Sequence, residues 1–181
     1  MTDSSTAWIA LGSNLGDREA TLRAAVVAVH ALEGVRVTAV SSVYETDPVG
    51  PSSEPFLNAA LRAEISSSPA TILAGLHAIE RAHGRTRRVR WDARTLDLDL
   101  LLVRTPSGPW VRSQDDACQL PHPALLERDF VLAPLRDLDP DAQISGRSVA
   151  AHLDALPPAS RTIRHVRRDV RLEVDPPAQP G

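Results

Sequence analysis

The run Leu96-Asp97-Leu98-Asp99-Leu100 limits this chain to one regular conformation at that point. In a strand, successive side chains point to opposite faces, so the three leucines share one face and the two aspartates the other. Aspartate is depleted in strands and costly to bury unpaired, so two on one face call for a role. Just upstream, Arg85–Arg94 holds five arginines and one aspartate, a local excess of four positive charges (five minus one). Carboxylates about 6–7 Å apart along a strand can converge on a hard divalent cation. Arginines beside them suit a polyphosphate, whose oxygens Arg and Mg²⁺ neutralise together. The plainer alternative is a solvated edge strand next to an ordinary surface loop. The arginines favour a metal–polyphosphate site.

Upstream of this strand the order of elements follows from periodicity. Ala7–Leu11 reads as a short apolar strand, followed by the turn Gly12–Asp17 with Asp17 as helix N-cap. Leu22, Val26, Val27 and Leu32 carry a helical stripe that stops at Gly34. Val35–Tyr44 alternates as a strand, Asp47–Pro55 is a proline-rich loop, and Asn58–Ile65 returns as another strand. Ser68 and Pro69 open a second helix whose apolar face is Ile72, Leu73, Leu76 and Ile79. With the strand Thr95–Val103, the order is β-α-β-β-α-β. That predicts an α+β, ferredoxin-like sandwich, an antiparallel sheet with helices packed on it, plus C-terminal additions. Pro121–Leu138 reads as a helical segment broken by Pro134, and Arg147–Leu156 as a further short helix. Residues 1–162 are expected to form a single catalytic domain, with 163–181 an extra strand or a flexible tail.

Composition excludes several classes. A chain of 181 residues with 43% hydrophobic and 24% charged residues is an ordinary globular protein with room for one core. Its net charge of −3 argues against a general nucleic-acid binder and makes the arginine cluster a local device. All 20 basic residues are arginine, which rules out a P-loop lysine and lysine Schiff-base chemistry. Cys118 is the single cysteine, so no intrachain disulfide forms, in keeping with a reducing cytoplasm. The N-terminus has no signal-peptide pattern, and no apolar run reaches the roughly 20 residues of a bilayer span.

The segment Ser41–Asn58 is the second informative region. A proline-rich loop leading to Phe56 and Asn58 has the parts of a pocket for a flat polar ring. Phe56 offers stacking and Asn58 paired donors and acceptors. Phe56 and Phe130 are the only phenylalanines, and a place in the core is the alternative for both.

Four blocks, ALGSNLGD, YETDPVGPSSEPFLNAAL, IERAHGRTRRVRWDARTLDLDLLL and LPHPALLERDFVLAPL, carry a resemblance to the 6-hydroxymethyl-7,8-dihydropterin pyrophosphokinase family. They cover about Trp8 to Asp139 in matching order. The resemblance implies transfer of the terminal diphosphate of ATP to the 6-hydroxymethyl group of the reduced pterin, releasing AMP, in folate biosynthesis. It implies two Mg²⁺ held by Asp97 and Asp99, which with Arg85 and Arg94 form the catalytic set. Glu80, Arg85, Arg94 and His122 fall at nucleotide-binding positions. Thr46, Pro48, Val49, Phe56, Asn58 and Phe130 fall around the pterin. A monomer acting on small molecules, with no nucleic-acid or membrane partner, is expected. The Gly84–Arg94 loop is expected to close over the bound substrates.

The chain departs from the family pattern at Asp92, where Gly or Ala is usual, and at Ala124, where Arg is common. Other readings are a different metal-dependent nucleotide-using transferase, such as a glycosyltransferase-like enzyme, or a ferredoxin-like RNA-binding module. The RNA-binding module leaves Asp97 and Asp99 unexplained and lacks strand aromatics.

Overall fold

The longest apolar strands of the chain sit at the middle of its sheet, where both faces are covered. A computed structural model describes residues 4–49, 54–84 and 95–174. Strand β1 (Ser5–Ser13) lies between β4 (Phe56–Ile65) and β5 (Asp97–Arg104), antiparallel to both. On the far side of β4 run β2 (Val35–Val40) and β3 (Val43–Thr46), again antiparallel. The first four β segments of the predicted order, with β2 and β3 counted together, thus give the ferredoxin-like arrangement.

The strand expected over Val35–Tyr44 is divided. β2 pairs with the Leu61–Ile65 end of β4, and β3 with the Phe56–Asn58 end. At the joint, the Ser41 hydroxyl accepts a hydrogen bond from the Ala60 N–H at 2.9 Å, while the Ser41 N–H donates to the Ala60 carbonyl at 2.9 Å. A side chain thereby replaces a main-chain acceptor, and the ladder bends without leaving β4 a bare edge.

Helices α1 (Arg18–His30) and α2 (Pro69–Ala82) cover one face. Asp17 caps α1 by accepting from the Ala20 N–H at 2.9 Å, and Ser68 caps α2 from Thr71 at 3.2 Å. Leu22, Val26 and Val29 with Ile72, Leu76 and Ile79 bury against Ile9, Leu11, Leu57, Leu61, Leu98 and Leu100. Val27, placed in the apolar stripe from spacing, points outwards and is 57% exposed.

The opposite face carries a second core. Trp8, Tyr44, Leu101 and Leu102 pack there against α3 (Asp129–Leu138) and α4 (Val149–Asp154). The pairing of β5 with β1 shifts register between Trp8 and Ile9, which turns both Leu101 and Leu102 towards this side. α3 begins at Asp129, well after Pro121, and Pro134 lies buried inside it without ending it. The hairpin β6 (Ser113–Asp115) and β7 (Cys118–Leu120) precedes α3, and a second small hairpin, β8 (Gln143–Ile144) and β9 (Arg147–Ser148), precedes α4.

Strand β10 (Ile163–Arg167) adds to the sheet beyond β3, and Val170 and Leu172 return to the first core. Among the described residues no helix is long and apolar enough to cross a membrane.

Candidate active site

β1 ends in Gly12 and Ser13, and Gly12 pairs with Asn58 on one side and Asp97 on the other. Asn58 in turn pairs with Tyr44. Residues of one cross-strand row face the same way, so Asn58 and Asp97 flank Gly12 on the face of the second core. A Cβ at Gly12 would stand 3.1 Å from Asn58 Oδ1 and 3.9 Å from both Asp97 Cβ and Phe56 Cδ1. Absence of a side chain here leaves a floor between an amide, a carboxylate and an aromatic ring.

Asp99 pairs with Ala10, two residues along the same face, and its side chain is 39% exposed. Leu96, Leu98 and Leu100 lie in the first core. The alternation therefore separates carboxylates from leucines as the residue pattern requires. His122 reaches this edge because its N–H donates to the Leu101 carbonyl at 2.9 Å. Its Nδ1 accepts from the Ala124 N–H at 3.3 Å, which leaves Nε2 to carry the proton of the neutral ring. Nε2 lies 3.9 Å from Asp99 Oδ1.

Asn58 is 7% exposed and donates from Nδ2 to Thr46 Oγ1 at 2.8 Å, which fixes the orientation of its amide. Phe56 begins β4 beside Thr46, and Pro48 and Val49 follow in the loop, Val49 being 46% exposed. Phe130 is half-buried at the start of α3, against the second core, with the Arg128 guanidinium 5.6 Å from its ring centroid. Phe56 and Phe130 belong to different elements on the same side of the sheet.

The turn after β1 tethers two neighbouring segments. The Ser13 hydroxyl donates to the Thr95 carbonyl at 2.6 Å, Asn14 Nδ2 to Glu54 at 3.5 Å, and Arg18 to Pro55 at 2.8 Å. Ser13 and Asn14 are buried. These tethers, Gly12 and Arg128 escaped the sequence reading. Turn residues with buried polar contacts have the same composition as ordinary turn residues, and their partners lie far off in the chain.

Glu80 stands apart. It is 2% exposed, and its Oε1 accepts from the Leu98 N–H at 2.9 Å, joining α2 to β5. Tyr44 also has a load-sharing role: its hydroxyl donates to Asp137 of α3 at 2.9 Å. Burial, and then that hydrogen bond to a carboxylate, push the phenol up to about 12. Arg85, Arg94 and Asp92 lie outside the described residues.

Two strand carboxylates supply hard oxygen donors. Mg²⁺ is held by one or two protein carboxylates when substrate phosphates and water complete its shell, so Asp97 and Asp99 fit such an ion. Among the described residues no third His, Cys, Asp or Glu joins them as a cluster.

A ferredoxin-like sheet thus gathers a carboxylate, a buried amide and an aromatic ring around Gly12, with a second carboxylate two residues along, the kinds of group a transferase of phosphorus-containing groups uses. Residues 8–140 match the family described as 7,8-dihydro-6-hydroxymethylpterin-pyrophosphokinase (HPPK), and the chain belongs to that family. A 2-amino-4-hydroxy-6-hydroxymethyldihydropteridine pyrophosphokinase of Bacillus subtilis is 47% identical over 133 residues, 73% of this chain and 77% of the relative. One from Methylorubrum extorquens is 40% identical over 154 residues, covering 84% and 94%. Among solved structures, Plasmodium falciparum HPPK-DHPS with pterin and p-hydroxybenzoate shares the fold at a TM-score of 0.62 and 13% identity. That likeness covers 85% of this chain but 43% of the Plasmodium chain, so it bears on the fold alone. The chain is an enzyme of the pyrophosphokinase type, acting in folate biosynthesis with ATP as co-substrate.

Proposed function

We propose that the enzyme moves the terminal diphosphate of ATP onto the 6-hydroxymethyl oxygen of 6-hydroxymethyl-7,8-dihydropterin, releasing AMP, at the end of β1. The observation that carries this assignment is the Asn58–Gly12–Asp97 row, which sets an acceptor-reading amide and a phosphate-side carboxylate two strands apart on one floor.

Asn58, oriented by Thr46, reads the polar edge of the pterin, and the backbone of Thr46–Val49 completes that edge. Phe56 and Phe130 stack on the ring from two elements and hold the hydroxymethyl group towards the carboxylates. Asp97 and Asp99 would hold two Mg²⁺, which neutralise developing charge on the bridging and non-bridging phosphate oxygens when bound. His122, whose Nε2 lies 3.9 Å from Asp99 Oδ1, donates from that nitrogen to the nucleotide. Arg85 and Arg94 pair with the transferred phosphates by their charge and forked geometry. Glu80 acts on this site through β5, whose main chain it holds at Leu98. The protein works as a cytoplasmic monomer on small molecules.

The test is AMP formation from ATP in the presence and absence of the reduced pterin, with Mg²⁺ and after its removal by chelation. Release that requires both pterin and Mg²⁺, and that is lost in folded Asp97→Ala and Asp99→Ala proteins, is expected. Full turnover by either folded variant would remove the two-aspartate site.

A further inference from the structure

The two walls of the acceptor pocket are joined through Asp129 and through Thr162, the latter from beyond the family-matched residues 8–140. Asp129 opens α3, directly before Phe130, and is 4% exposed. An acid in the first turn would ordinarily serve its own helix. Here it is committed elsewhere: Oδ2 accepts from the Thr162 N–H at 2.6 Å and the Ile163 N–H at 2.9 Å, and Oδ1 from the Thr162 hydroxyl at 2.7 Å. Thr162 then passes the link on. Its carbonyl accepts from the Asp47 N–H at 2.8 Å, between Thr46 and Pro48. Arg164 pairs with the Asp47 side chain on the outer surface.

We infer that Asp129 and Thr162 form a clip that sets the spacing between Phe130 and the Thr46–Val49 wall, and so determine affinity for the pterin. This rests on reading that pocket as the acceptor site. Asp129 adjoins Phe130 and Asp47 lies within the Thr46–Val49 wall, so slack in the clip passes directly to the pocket. A charged acceptor with three donors is stronger than a neutral one, which makes the link stiff. The nearest described parts of the phosphate side, Asp97 and Asp99 on β5, lie on the opposite side of β1 and β4 from Asp47. Asp129 and Thr162 are positioning residues: they hold the pocket without touching its ligand.

The experiment compares Asp129→Asn and the milder Thr162→Ala with the unaltered full-length protein. The readouts are titration with the pterin, titration with a non-hydrolysable ATP analogue plus Mg²⁺, and exchange of the Asp47 amide. Losing charged hydrogen bonds should weaken pterin binding about tenfold in Asp129→Asn, and less in Thr162→Ala. ATP-analogue binding should stay within about twofold, and the Asp47 amide should exchange faster in both. A general loss of stability would instead lower both affinities together, and that result overturns the inference. So does unchanged pterin affinity in folded Thr162→Ala whose Asp47 amide exchanges faster. Should the unaltered protein itself fail to bind pterin, the acceptor-site reading falls and this role for the clip falls with it. A loss seen in the variants alone isolates the clip.

Discussion

Gly12→Ala tests the floor of the site with a single methyl group. The new Cβ would lie 3.1 Å from Asn58 Oδ1, so the amide must retreat by a few tenths of an ångström. Relief has a cost, because Asn58 is buried and its Nδ2 is already engaged with Thr46 Oγ1 at 2.8 Å. Weakening one neutral hydrogen bond costs about 0.5–1.5 kcal/mol, and misaligning the amide affects its contacts with the pterin by a similar amount. With about 1.4 kcal/mol per factor of ten, the pterin-contact part lowers affinity by roughly two- to twelvefold. The contacts to Asp97 Cβ and Phe56 Cδ1 at 3.9 Å are ordinary, so the carboxylate side should be little disturbed. Folding stability should change little, since replacing a strand glycine recovers about 0.5–1 kcal/mol of chain entropy against the local crowding. Calorimetric titration with the pterin and with an ATP analogue, alongside thermal unfolding, separates these effects. Unaltered pterin affinity in a folded Gly12→Ala protein would refute the argument, as would an equal loss for the nucleotide.

Replacing Phe56 or Phe130 by Ala should weaken the pterin by about tenfold or more and the ATP analogue far less, because stacking adds roughly 0.5–1.5 kcal/mol beyond burial; parallel titrations decide it. Glu80→Ala leaves the Leu98 N–H without its carboxylate and should destabilise the fold by about 1–3 kcal/mol, read as a lower denaturant midpoint. Tyr44 holds its proton to about 12 in the folded chain against 10.0 in an unperturbed phenol. The folded state therefore keeps a proton that the unfolded chain releases, and stability from this group is full below pH 10 and lost as pH rises towards 12. Tyr44→Phe should flatten that part of the stability–pH curve, and an unchanged slope would assign the alkaline loss to other groups.

Much of the frame could be read from short-range pattern. Asp97 and Asp99 alternate with leucines, Asp17 and Ser68 stand before helical stripes, and Pro69 follows its cap. These signals are local, so they survive without knowledge of the fold. The division at Ser41 was hidden because it depends on a hydroxyl replacing a carbonyl opposite Ala60, on another strand. The start of α3 was misplaced for the same reason: Asp129 finds its partners at Thr162 and Ile163, over thirty residues later. The destination of β10 is likewise a matter of long-range pairing with β3. Phe130 could be picked out as a scarce aromatic, but the hydrogen bonds that locate it could not.

The row Asn58–Gly12–Asp97 works as a ruler whose divisions are the spacing of hydrogen-bonded strands. With about 4.8 Å between neighbours, the two marks stand roughly 10 Å apart, and no loop movement can alter that span. On the proposed assignment, acceptor preference and phosphate handling can therefore be retuned only by changing what is mounted at each mark. On that assignment a larger acceptor would have to gain its room from side chains such as Phe56 or Phe130, while the separation of Asn58 from Asp97 stays built into the sheet.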